Sequence, residues 1–256
     1  FSVWRYCEEN FSKGVKIRPQ YAGRPTGMLF SLESSIHPFI SHPSYAELAN
    51  KSLEEKVKIM RTPEFKEKIL SEEPGVDRNH MVYRLIASFD QQFPMDHVPD
   101  YEPPRELSIA GIAESEGREV MEVAYDEMLK NDGKTFIWAP FGPYPNHNLD
   151  FYKMMIEFES SVAGLSDGGA HCGLICDASM PTWNVAHWSK NRTRGEKIPV
   201  EFVVNKQTKA TAETFGLHDR GEIKEGLLAD INIIDYDNLK VFKPEMVHDL
   251  PTGSRR

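Results

Sequence analysis

The run Val162-Ala163-Gly164-Leu165-Ser166-Asp167-Gly168-Gly169-Ala170-His171 constrains the fold of this chain more than any other stretch. Apolar and small residues lead into Ser-Asp-Gly-Gly, which reads as a short buried strand that ends on an aspartate and delivers it to a glycine-loosened loop. A short apolar strand covered on both faces belongs to a parallel sheet, and in α/β barrels the chemistry sits at the C-terminal ends of such strands. Asp167 therefore stands where a catalytic carboxylate would be placed. The Asp-Gly pair also favours a turn of positive φ, and on these ten residues alone the turn is the simpler reading.

The upstream flank repeats the helix-and-strand rhythm. Val3 to Ser12 is amphipathic and closed by Lys13-Gly14, and Val15 to Gln20 follows as a short strand. Tyr21 to Gly27 is then a loop at that strand's C-terminal edge. Arg24 on this loop has the planar fork that clamps a substrate carboxylate, or it pairs with a nearby acid such as Glu33. From about residue 34 to 131 the rhythm is broken by a mostly helical insertion. Ser52-Leu53-Glu54-Glu55 is a capping box, Thr62-Pro63-Glu64 opens another helix, and Asn131-Asp132-Gly133 stops a third. Phe93 to Pro104 is proline-rich and reads as irregular. His37, His42, His80 and His97 show no paired metal-ligand spacing and read as loop or surface residues. Thr135 to Pro140 reads as the next strand, followed by a helix to Phe158 and then by the Asp167 strand.

The 256 residues suffice for one large α/β domain or two modest ones. A formal charge of −9 argues against a nucleic-acid surface. No stretch approaches the roughly 20 apolar residues of a membrane span. Three cysteines make no disulfide framework, so a reducing, cytoplasmic setting is expected. A structural zinc wants four ligands, and His171, Cys172 and Cys176 have no fourth nearby. Both cysteines read as small packing residues, and His171 as a loop residue near the reaction centre.

Gly221-Glu222-Ile223-Lys224-Glu225-Gly226-Leu227-Leu228-Ala229-Asp230-Ile231-Asn232-Ile233-Ile234-Asp235 resembles the segment in which metal-dependent amidohydrolases leave their barrel for a small β-sandwich. With Ser166 to His171, Cys176-Asp177-Ala178-Ser179-Met180-Pro181-Thr182 and Ile17-Arg18-Pro19-Gln20, it looks like the N-acyl-D-amino-acid deacylase, or D-aminoacylase-like, branch. The resemblance implies an α/β fold: the C-terminal part of a (β/α)8 barrel over 1–216, then the first strands of a β-sandwich over 217–256. It implies a hydrolase of linear amides that holds one or two Zn2+. A zinc-bound water near pKa about 7 would attack the carbonyl. Asp167 would then serve as general acid/base and, as in the family, as a metal ligand.

Gly168 would leave room for the substrate, His171 would help bind it, and Gln20 and Arg24 would grip its carboxylate. The family's His-x-His pair occurs nowhere here, so the other ligands are expected upstream and this stretch alone is expected to be inactive. The expected partner is a small N-acyl amino acid or related amide, with no nucleic acid or membrane. A hydrolase of cyclic amides and a non-catalytic homologue binding through the Asp167 loop are the alternatives.

Overall fold

The structure is a computed structural model that describes residues 2–95, 98–166 and 171–256. Its strands are β1 (Gln20–Tyr21), β2 (Gly27–Phe30), β3 (Phe93–Met95), β4 (Phe136–Pro140) and β5 (Val162–Ala163). They divide between two compact units. Unit 1 comprises Phe1–Pro25, Tyr144–Gly168 and Asp177–Val241, and unit 2 comprises Thr26–Pro143, Gly169–Cys176 and Phe242–Arg256. Helices and strands mix in both, so the class is α/β. No helix of the described residues is long and apolar enough to cross a membrane.

Unit 1 is built on a parallel pair. Gln20 lies opposite Val162 and Tyr21 opposite Ala163. The ladder runs one bond further at each end, from Val162 N–H to Pro19 O at 3.1 Å and from Gly164 N–H to Tyr21 O at 2.9 Å. The helix Asp150–Glu157 packs on β1, and Val200–Gln207 and Lys209–Thr214 pack on β5. The junction that feeds β5, residues 158–161, is held from two sides. The buried Lys206 ammonium donates to the carbonyls of Phe158 and Ser161 and to Ser161 Oγ. Burial pushes this amine down to about 8, against the pull of Glu8. The Glu8 carboxylate accepts from the N–H groups of Glu159 and Ser160. Burial would raise Glu8, but the hydrogen bonds from Ser160 and Glu159 outweigh it and hold the carboxyl below its ordinary range.

Unit 2 carries an antiparallel sheet in the order β2-β4-β3. Phe30 pairs with Ile137 on one side of β4, and Phe93 pairs with Trp138 on the other. Helices cover it, and Phe39, Met60, Ile69, Ile109, Tyr125 and Met128 fill the core between them. The helix ends form as the sequence dictates. Ser52 Oγ accepts from Glu55 N–H while the Glu55 carboxylate accepts from Ser52 N–H, and the helix Leu53–Met60 follows. Thr62 caps Pro63–Ser71 through Phe65 N–H. Asn131, Asp132 and Gly133, at φ 49°, 53° and 78°, end the long helix before β4.

Several expectations are corrected. Thr135 to Pro140, expected as the next strand of a helix-and-strand rhythm, forms β4 at the centre of the antiparallel unit 2 sheet; a continuous apolar run announces burial without naming its partner. Phe93–Met95, expected to be irregular, is a strand, and Pro94 is accommodated because β3 is at the sheet edge. His37 and His42, expected as loop or surface residues, lie in loops but are buried. Their rings pack against Tyr45 and Phe39, so here imidazole behaves as an aromatic filler. His80 is exposed and caps Met81–Ile86 through Nδ1, whereas His97 lies outside the described residues.

The expected β-sandwich strands after residue 217 are absent among the described residues. Ile223, Ile233 and Phe242 are exposed. Pairing there among the described residues includes a bridge between Leu250 and Ser254, two backbone bonds exchanged by Val247 and Arg256, and one from Leu228 N–H to Asp219 O. A β-prone sequence becomes a strand only where another strand takes its N–H and C=O groups.

Candidate functional site

The C-terminal ends of β1 and β5 lie side by side in unit 1, and the chain leaves each on a loop. After Ala163 come Gly164, Leu165 in the left-handed region at φ 45°, and an exposed Ser166. Asp167 and Gly168, the expected general acid/base and substrate cradle, lie outside the described residues. Gln20, the first residue of β1, is exposed, and its side chain lies along Gly164: a Cβ there would meet Gln20 Cβ at 3.0 Å and Oε1 at 3.2 Å. The two strand ends therefore approach closely because residue 164 lacks a side chain.

The guanidinium expected to clamp a substrate carboxylate is instead inside the protein. Arg24 is 1% exposed, and its Nη1 meets Asp177 Oδ1 at 2.9 Å with both side chains buried. Nη2 reaches Ser179 Oγ at 3.5 Å, and the guanidinium carbon sits 5.9 Å from the Trp183 ring. A buried pair of this kind is held by mutual neutralisation, and removing either member strands the other's charge at a cost of about 3–5 kcal/mol. The same helical segment grips the residue before Arg24. Trp188 Nε1–H donates to Gly23 O at 2.9 Å, and Asn184 Oδ1 lies where a Cβ on Gly23 would come within 1.5 Å of it. Trp188 belongs to the π-helical turn His187–Asn191, which continues the helix Met180–Ala186. The wide turn lets Trp183 stack on His187 at 4.1 Å while Trp188 stands edge-on to both rings.

His171, described within unit 2, is exposed at φ 52°, and its carbonyl accepts from the N–H groups of Leu174 and Ile175 at 2.8 and 2.9 Å. Of the two cysteines expected to be small packing residues, Cys172 is half-buried and Cys176 is exposed, because this loop turns on the His171 carbonyl and leaves them at its surface. Among the described residues no group of three or more His, Cys, Asp or Glu side chains converges to hold a metal. The described residues alone thus assemble no complete zinc cage, and no chemical step is assigned to one.

Sequence reasoning found Gln20 and Arg24 but missed what Arg24 binds. Asp177, Trp183, Asn184 and Trp188 act on this loop, and Ser179 is 155 residues from Arg24 along the chain. The available signal was local: an acidic residue just before a helix start at Met180-Pro181, and a glycine ahead of the arginine.

The sequence model of the amidohydrolase family matches residues 26–253. Comparisons with curated proteins and with solved structures return no match. The matched span takes in β5, the Ser166-Asp167-Gly168-Gly169 run and the helical clamp on the Arg24 loop, and on that match this chain belongs to the amidohydrolase family, whose members are hydrolases of carbon–nitrogen bonds that usually bind metal.

Proposed function

We propose that this chain carries the general acid/base of an N-acyl-D-amino-acid deacylase built on a (β/α)8 barrel. The observation that carries the reading is positional. In a chain of the amidohydrolase family, the Ser166-Asp167-Gly168-Gly169 run follows in sequence after Gly164-Leu165, the two residues that leave the C-terminal end of β5, a strand paired in parallel with β1. That end is where parallel α/β folds present reactive side chains.

Asp167 takes a proton from water as the water oxygen bonds to the amide carbonyl carbon. It returns that proton to the amide nitrogen as the carbon–nitrogen bond breaks, releasing a carboxylic acid and a free amine. Gln20, exposed beside Gly164, offers an amide to the substrate, and Gly168 completes the reading as the residue that leaves it room. Zinc belongs to this reading with Asp167 among its ligands; the described residues by themselves bring no three further His, Cys, Asp or Glu side chains together. The substrate is a small N-acyl amino acid, and the net charge of −9 supports a small-molecule partner over a nucleic acid.

The test is Asp167→Asn in the complete protein, assayed on paired N-acetyl-D- and N-acetyl-L-amino acids. Loss of a general acid/base lowers turnover by about 100- to 10,000-fold with the fold intact. Turnover near that of the unaltered protein overturns the assignment of Asp167. Hydrolysis of cyclic amides in place of N-acyl-D-amino acids overturns the substrate class.

A further inference from the structure

We propose that Arg24 and Asp177 form a positioning pair whose buried contact sets the loop after β1 and, through the β1–β5 ladder, the strand end from which Asp167 departs. The inference rests on the deacylase reading for its functional meaning and on unit 1 geometry for its structural content.

The loop that leaves β1 has few ways to be held by its own residues, since Gly23 brings no side chain and Pro25 brings no N–H. The segment 177–188 holds it through contacts that include the Arg24–Asp177 ion pair at 2.9 Å, the Trp188-to-Gly23 hydrogen bond at 2.9 Å, and the Asn184 amide against the open face of Gly23. The ion pair is charged, and a guanidinium in a water-poor setting has few alternative positions that keep a carboxylate beside it. Tyr21, next to this loop, accepts from Gly164 N–H, and Gln20 lines Gly164. Gly164 is three residues before Asp167. A shift of the Arg24 loop therefore reaches the β5 end through one hydrogen bond and one side-chain contact, and a catalytic group moved by about 1 Å can lose on the order of 100-fold in rate.

Arg24 accordingly acts from behind the site and does not touch the substrate. Asp177 is its anchor, presented at the start of a helix whose first turn it joins by accepting Met180 N–H at 2.9 Å. Trp183 closes the guanidinium off on one side, where an arginine is tolerated better than a lysine because it is more weakly hydrated and stacks on aromatic faces.

The experiment uses Asp177→Asn, Arg24→Gln, Arg24→Lys and the double variant Arg24→Gln with Asp177→Asn, in the complete protein and below each variant's melting temperature. The first readout is hydrogen exchange at Gly164 N–H. We expect at least tenfold faster exchange in Asp177→Asn and Arg24→Gln, with the exchange of Ala113 N–H in the other unit unchanged. The second readout is the split between kcat and KM on N-acetyl-D-amino acids. kcat should fall tenfold or more while KM stays within about twofold. Arg24→Lys should recover part of the loss, and the double variant should be no worse than either single one.

Unchanged exchange at Gly164 overturns the proposal, whatever the activity. Faster exchange with wild-type kcat overturns its catalytic half. Were Asp167→Asn to remain fully active while Gly164 exchange still responded, the deacylase reading would fail and the structural coupling would stand.

Discussion

Replacing His37 with asparagine should remove a defined part of the protein's acid sensitivity. His37 is fully buried in unit 2, with Nδ1 accepting from Phe39 N–H at 3.3 Å and its ring edge-on to Tyr45 at 4.5 Å. Burial, reinforced by the neighbouring charges of Lys56 and His42, pushes its pKa from 6.5 down to about 3. The same burial lowers His42, against the opposing pull of Glu72 and Glu73.

A histidine that stays neutral in the folded state and takes a proton when unfolded stabilises the fold above its unfolded pKa. That stability is lost as pH falls from 6.5 toward the folded value near 3. At about pH 5 the unfolded chain has bound nearly one proton here and the folded chain almost none. The slope is about 1.4 kcal/mol per pH unit over roughly 1.5 units, which gives about 2 kcal/mol lost between pH 8 and pH 5. The replacement amide keeps an oxygen acceptor for Phe39 N–H but does not titrate. Urea unfolding of both proteins at the two pH values measures the difference. The wild type should lose about 2 kcal/mol more than His37→Asn. If the two fall in parallel, His37 is accessible to protons in the folded state and the reasoning is wrong.

Two further substitutions test unit 1. Lys206→Met removes the donor shared by Phe158 O, Ser161 O and Ser161 Oγ and leaves buried acceptors unsatisfied. The expected loss is about 3 kcal/mol in urea unfolding, and a loss below about 1 kcal/mol would show that this ammonium does not hold the junction before β5. Gly23→Ala places a Cβ 1.5 Å from Asn184 Oδ1 and should destabilise by about 1–3 kcal/mol. Adding Asn184→Ala should restore most of that loss in thermal unfolding, and a neutral Gly23→Ala would mean that Asn184 does not press on the loop.

What could be read from the sequence was whatever neighbours along the chain decide. Ser52 with Glu55, Thr62 with Pro63, and Asn131-Asp132-Gly133 set helix ends through groups a few residues apart, and all three formed as expected. The strand expected over Val15 to Gln20 was legible only in part: it forms at Gln20–Tyr21, where β5 pairs with it, and Tyr21, expected in the loop, belongs to it. Choices made across the chain were not legible. β4 reads as the next strand of a helix-and-strand rhythm, yet its partners are β2 and β3. His37 looks polar in sequence and is enclosed by residues that no local pattern points to.

The segment Leu227 to Asp235 has the composition of strands and forms none, because strand formation is a property of pairs. At the candidate site, Arg24 stood out for its chemistry, but only the fold could show that a carboxylate from a distant part of the chain already occupies it.

The division of unit 1 into separate stretches has a consequence for how the polypeptide matures. Arg24 leaves the ribosome long before Asp177; at about 5–20 residues per second the interval is roughly 8–30 s. Residues 26–143 emerge within that interval, and in unit 2 Thr26 O accepts from Phe141 N–H and Gly142 N–H at 3.0 and 3.2 Å. Once these bonds form, the long excursion between the two strand halves is already closed. β1 then needs only the short stretch from Tyr144 to Val162 to find β5. A defect in closing residues 26–143 would then surface as a delay in forming the Arg24–Asp177 contact.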